Sequence, residues 1–85
     1  MMSKIYEKLD TLILKAVADG NMFPDTDYAV DFEAQRIACT RNWYKRPMIK
    51  RRLRALRDEG KIRYLFWSEA PSGLSGWYPA ENKDA

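Results

Sequence analysis

Residues Tyr44 to Trp67 read YKRPMIKRRLRALRDEGKIRYLFW, an arginine-rich stretch that halts at Glu59-Gly60 and passes directly into an aromatic one. At 100° per residue, Ile49, Leu53 and Leu56 fall within about 60° of one another and form a buried stripe, which defines a helix over about residues 46–59. Pro47 suits its first turn, where a missing N–H costs nothing. Pro47, Arg51, Arg54 and Asp58 lie opposite the stripe, Lys50 and Arg57 on one flank, and Arg52 nearer the core edge. Gly60 occupies the left-handed position that ends a helix. Lys61 to Trp67 then reads as a strand with Ile62, Tyr64 and Phe66 on one face. Pro71, Gly73 and Gly76 turn the chain back, and Trp77-Tyr78 forms the return strand until Pro79 stops it.

Working toward the N-terminus, Thr40 to Lys45 has no sustained periodicity and reads as the turn before that helix. Asp31 is placed to cap a preceding helix from Phe32 to about Thr40, after a short β-compatible Tyr28-Ala29-Val30. In the alternative, that helix begins near Thr26 and absorbs the strand. Phe32, Ile37 and Ala38 would point inward, with Ala34 allowing close packing. Gly20 to Asp27 is a loop. Before it, Ile5, Leu9, Leu12, Ile13, Ala16 and Val17 recur at three- and four-residue steps, giving a first helix capped by Ser3 and stopped at Asp19-Gly20-Asn21. Leu14 falls on the opposite side, where an exposed leucine suits a contact with another subunit.

The 85 residues, 46% of them hydrophobic and 13% aromatic, suit one ordered domain over residues 1–80 with a polar tail at 81–85. With no histidine and one cysteine, the usual zinc sets, an internal disulfide and histidine-dependent acid–base catalysis are all excluded. No glycine-rich phosphate loop or nucleophile–base pair appears. Cys39 reads as a packing residue, and neither an enzyme nor a cofactor is expected. No apolar run is long enough for a signal peptide or a membrane span, so a soluble, cytoplasmic protein is expected.

The formal net charge of +3 hides a strong segregation. Residues 1–39 carry four basic and seven acidic side chains, residues 40–67 ten and two, and residues 68–85 one and three. A concentrated cationic surface on an acidic body is the distribution of a protein that docks one face on a polyanion.

Helices followed by a hairpin, with the hairpin directly after the most basic helix, give an α+β, mainly α, class. The pattern Ile49-x-x-x-Leu53-x-x-Leu56-x-x-Glu59-Gly60-x-Ile62 resembles the end of the recognition helix and start of the wing in prokaryotic and phage-type winged helix-turn-helix DNA-binding domains. Val30 to Ala38 is similar to that family's short strand and positioning helix. The resemblance covers roughly residues 3–79 and implies three helices plus a C-terminal β-hairpin wing. It also implies that the third helix lies in the major groove of double-stranded DNA. Arg51 and Lys50 would then read bases, Arg46, Arg54, Arg57 and Arg63 would hold phosphates, and Lys45 and Tyr44 would meet the backbone at the helix start. The wing tip SEAPSGLSG carries Glu69 and no cation, which leaves the helix to carry most of the binding.

Two structural roles compete with these. Arg52 and Arg57 would equally cover apolar surface with their stems. Trp43, Trp67, Trp77 and Tyr78 would either stack on unpaired bases or, more in keeping with so small a domain, complete its core and clamp the hairpin. The expected function is a small transcriptional regulator or mobile-element accessory factor, working as a homodimer because one small domain reads few base pairs. A protein-interaction module, an adaptor or inhibitor of a host protein, is the alternative. No small-molecule ligand is evident.

Overall fold

A computed structural model of the chain describes residues 4–80. Three helices, α1 (Glu7–Ala18), α2 (Tyr28–Arg41) and α3 (Lys45–Asp58), precede an antiparallel hairpin of β1 (Ile62–Leu65) and β2 (Gly76–Pro79). This is the winged helix layout. Short 3-10 turns at Lys4–Tyr6 and Pro24–Thr26 precede α1 and α2. No helix among the described residues is long and apolar enough to cross a membrane. Ser3 and the 81–85 tail lie outside the described residues.

The core forms where the helices converge: Leu9, Ile13 and Val17 of α1, Val30, Ala34 and Ile37 of α2, and Ile49, Leu53 and Leu56 of α3 are all buried, with Ile62 of β1 closing one end. Met48 is also buried, which makes the inward face of α3 broader than its leucine–isoleucine stripe. Leu14 is half-buried and packs against this core.

The start of α2 follows the second alternative, in which the helix begins early and absorbs the short strand. The Asp27 carboxylate accepts from the amides of Ala29 and Val30 at 3.1 and 3.2 Å, so Asp27, not Asp31, is the cap, and Tyr28-Ala29-Val30 form the first helical turn. Two acids four positions apart compete for capping, and the earlier one also lets Val30 reach the core. Phe32 then lies on the far side of α2, 63% exposed, stacked on Tyr28 one turn back. Cys39 is likewise exposed, with Gln35 Nε2 donating to its Sγ at 3.1 Å, so it is not a packing residue.

Helix ends follow a shared hydrogen-bond scheme. At α3, the Gly60 and Lys61 amides donate back to the Arg57 and Leu56 carbonyls at 2.9 and 3.0 Å, and Gly60 takes φ 79°, a conformation a side chain disfavours. At α2, Asn42 adopts φ 59° and the Trp43 amide reaches Ala38 O; asparagine tolerates this region better than most residues.

The hairpin pairs Tyr64 with Trp77 and Leu65 with Gly76. Its first strand is shorter than expected, because the Phe66 carbonyl accepts from Glu69 and Ala70 and the Trp67 amide donates to Ser75 Oγ, bending the chain out of the ladder. The loop before α2 joins its other edge: Trp77 N donates to Met22 O at 2.8 Å. A Cβ on Gly76 would come within 2.7 Å of Met22 Cβ, so this close approach requires glycine.

Glu33, almost fully buried on α2, forms a forked pair with Arg36 at 2.6 and 3.0 Å. Hydrogen bonds from Arg36 to the charged form hold its carboxyl below the ordinary glutamate value; burial opposes this, and the charges of Arg36 and Lys8 assist. A carboxylate whose pKa falls on folding stabilises the fold fully above its unfolded value and loses that contribution as pH falls through the lowered one. Glu33→Gln should therefore lower the thermal midpoint at neutral pH, with the difference shrinking as pH drops below the glutamate range, measured by melting across pH.

Candidate nucleic-acid interface

The only chain between α2 and α3 is Asn42-Trp43-Tyr44, a tight turn that makes the two helices a helix-turn-helix pair. Burial of Met48, Ile49, Leu53 and Leu56 fixes which side of α3 faces inward. Arg46, Pro47, Lys50, Arg51, Arg54 and Arg57 are thereby turned outward and exposed, over an arc of roughly 140° at 100° per residue.

The basic side chains differ in what holds them. Arg52 is committed to the fold: its Nε and Nη2 donate to Asp10 Oδ1 and Oδ2 of α1 at 2.9 and 2.6 Å, and only 12% of its side chain is exposed. Its guanidinium lies 4.7 Å from the Tyr6 ring centroid, and Tyr6 stacks on Trp43 at 6.2 Å. The Asp10 hydrogen bonds raise the Arg52 pKa above its ordinary value against the effect of burial, so the charge is permanent. Lys45 Nζ is held 2.7 Å from Asp31 Oδ1, while Arg57 has only a loose 3.3 Å contact with its neighbour Asp58. Arg63 is half-buried on β1. By contrast, among the described residues no carboxylate lies within ion-pair distance of Arg46, Lys50, Arg51 or Arg54.

Tyr44, the residue before α3, is 83% exposed. It borders a concavity of about 290 Å³ that also touches Pro47 and Arg51. Of the sequence-predicted site residues, the structure thus gathers Tyr44, Arg46, Lys50, Arg51, Arg54 and Arg57 along α3, ties Lys45 to α2, and leaves Arg63 on the hairpin. The aromatic residues divide: Trp77 packs on the core, whereas Phe66 and Trp67 are 62% and 69% exposed and do not complete it. Sequence reading missed Asp10 as the partner of Arg52 and Phe23 as a neighbour of the hairpin. An acid beside the apolar stripe of α1 was the one local signal for Asp10.

Comparison with known proteins finds no matching family model, curated protein or solved structure.

Because Asp10 and Arg52 are both largely buried, removing one leaves the other uncompensated, which costs about 3 kcal/mol. Asp10→Ala should lose stability of that order in urea unfolding, and pairing it with Arg52→Met should recover much of the loss.

Proposed function

We propose that this chain is a double-stranded DNA-binding protein that seats α3 in the major groove. It would act as a small transcriptional regulator or mobile-element accessory factor. The observation that carries this reading is the division among the basic residues of α3: Arg52 is neutralised within the fold, while Arg46, Lys50, Arg51 and Arg54 are exposed with no carboxylate of the described residues within ion-pair distance. A solvated helix face needs no such sorting, whereas a polyanion gains most from cations that need not leave an internal partner.

Arg51 and Lys50, midway along the helix, read base edges. Arginine's planar fork matches the two acceptors of guanine, and lysine acts as a point charge. Arg46, Arg54, Arg57 and Arg63 hold phosphates, and Tyr44 meets the backbone where the strand passes the helix start. Lys45 contributes less than its charge suggests, because Asp31 competes for it. A two-fold pair of domains would double a footprint that is short for one helix. The second reading, a protein-interaction module, is favoured by the exposed Tyr28–Phe32 stack on α2.

Four cations on phosphates, at about −0.9 each, predict that log K falls against log salt with a slope of roughly −4. Reversing Arg51 and Arg54 to glutamate should weaken binding by about a hundred-fold or more while leaving the melting temperature nearly unchanged. Fluorescence anisotropy across a salt series checks both. A flat salt response would shift the function to a protein partner.

A further inference from the structure

Between α3 and the hairpin lies a groove of about 310 Å³. Phe23, Tyr64 and Trp77 supply its aromatic walls, and Lys50 and Arg54 stand at it from α3. Tyr64 is the centre of the ring cluster: Trp77 meets it edge-on at 5.2 Å and Phe66 at 5.5 Å. Yet Tyr64 is 40% exposed and Phe23 48% exposed, and of these rings only Trp77 packs on the hydrophobic core. Asp25 contributes the groove's carboxylate, more than ion-pair distance from either cation.

Flat π surfaces, two cations with no ion-pair partner among the described residues and one hydrogen-bond acceptor suit a planar ring with amino donors joined to an anionic group. We propose that this groove holds an unpaired nucleotide of a DNA strand. Its base stacks against the Phe23 and Tyr64 rings, its exocyclic amine donates to Asp25, and its phosphate lies by Arg54. The proposal rests on the duplex-binding reading, since α3 is what brings a strand to the groove. It adds a preference: duplex with an unpaired stretch beside it is bound more tightly than continuous duplex, because every base offers a face for stacking. It also gives the hairpin, whose tip carries no cation, a role that phosphate contacts at that tip do not supply.

The test compares a blunt duplex with the same duplex carrying a single-stranded tail of about five deoxycytidines, by anisotropy. Trp43→Phe with Trp67→Phe leaves Trp77 as the only tryptophan, and its fluorescence reports stacking in the groove. The tailed DNA should bind on the order of ten-fold more tightly than the blunt one and quench Trp77. Tyr64→Leu or, from the separate loop, Phe23→Leu should erase the tail's advantage while leaving blunt-duplex affinity unchanged. Equal affinity for the two DNAs, or an advantage that survives both variants, overturns the proposal with the duplex reading intact. If blunt duplex fails to bind while the tail still quenches Trp77, the duplex reading falls and the groove stands; if neither DNA binds, both fall. Quenching by free deoxycytidine monophosphate as strong as by the tail also overturns it, assigning the groove to a mononucleotide.

Discussion

The forked pair between Asp10 and Arg52 is the constraint on which the arrangement of α3 depends. It joins α1 to α3 across 42 residues of chain, with both side chains largely buried. A leucine pair of similar volume would hold the helices together about as well, but apolar packing tolerates small rotations that a two-point hydrogen bond does not. Tyr6 on the guanidinium and Trp43 on Tyr6 extend the same fixation into the turn before α3. With Arg52 drawn inward, its neighbours Arg51 and Arg54 have to project outward. One arginine sets the direction in which the others point.

The hairpin is positioned by a second long-range contact. Trp77 donates to the Met22 carbonyl, and Gly76 lets the two backbones meet. The Tyr78 hydroxyl reinforces this, donating to Leu74 O at 2.7 Å and meeting Ser72 Oγ at 2.6 Å. Because the Met22 loop also leads into α2, hairpin and helix-turn-helix share one anchor. The aromatic groove between them is a consequence, with Phe23 following Met22 and Tyr64 facing Trp77 across the ladder.

Much of this architecture was legible in the chain because its cues are local. The apolar spacing of α1 and α3, the Glu59-Gly60 stop and the glycine-rich return of the hairpin each act within a few residues. The start of α2 was harder, since Asp27 and Asp31 both suit a cap and the choice turned on whether Val30 or Phe32 reached the core. Phe32 and Cys39 were misplaced for the same reason: the inward side of α2 is set by its neighbours, not by its own weak pattern. In the candidate interface, the wheel located the outward face of α3 and put Arg52 near the core edge. It could not distinguish Arg52, neutralised by Asp10, from Arg46 or Lys50, because that depends on carboxylates from α1 and α2. The same holds for Lys45, whose partner Asp31 has the local sequence context of a helix cap.

Together these features describe a helix whose inner face is fixed by leucine packing and one buried ion pair, and whose outer face presents Arg46, Lys50, Arg51 and Arg54 with no ion-pair partner among the described residues. The proposed role of this outer face is to recognise particular DNA sequences. Selection of bound fragments from a random duplex pool at moderate salt tests it most directly. The account predicts enrichment of a short guanine-containing motif, repeated as a palindrome if two domains pair; a pool that stays unenriched through successive rounds would contradict it.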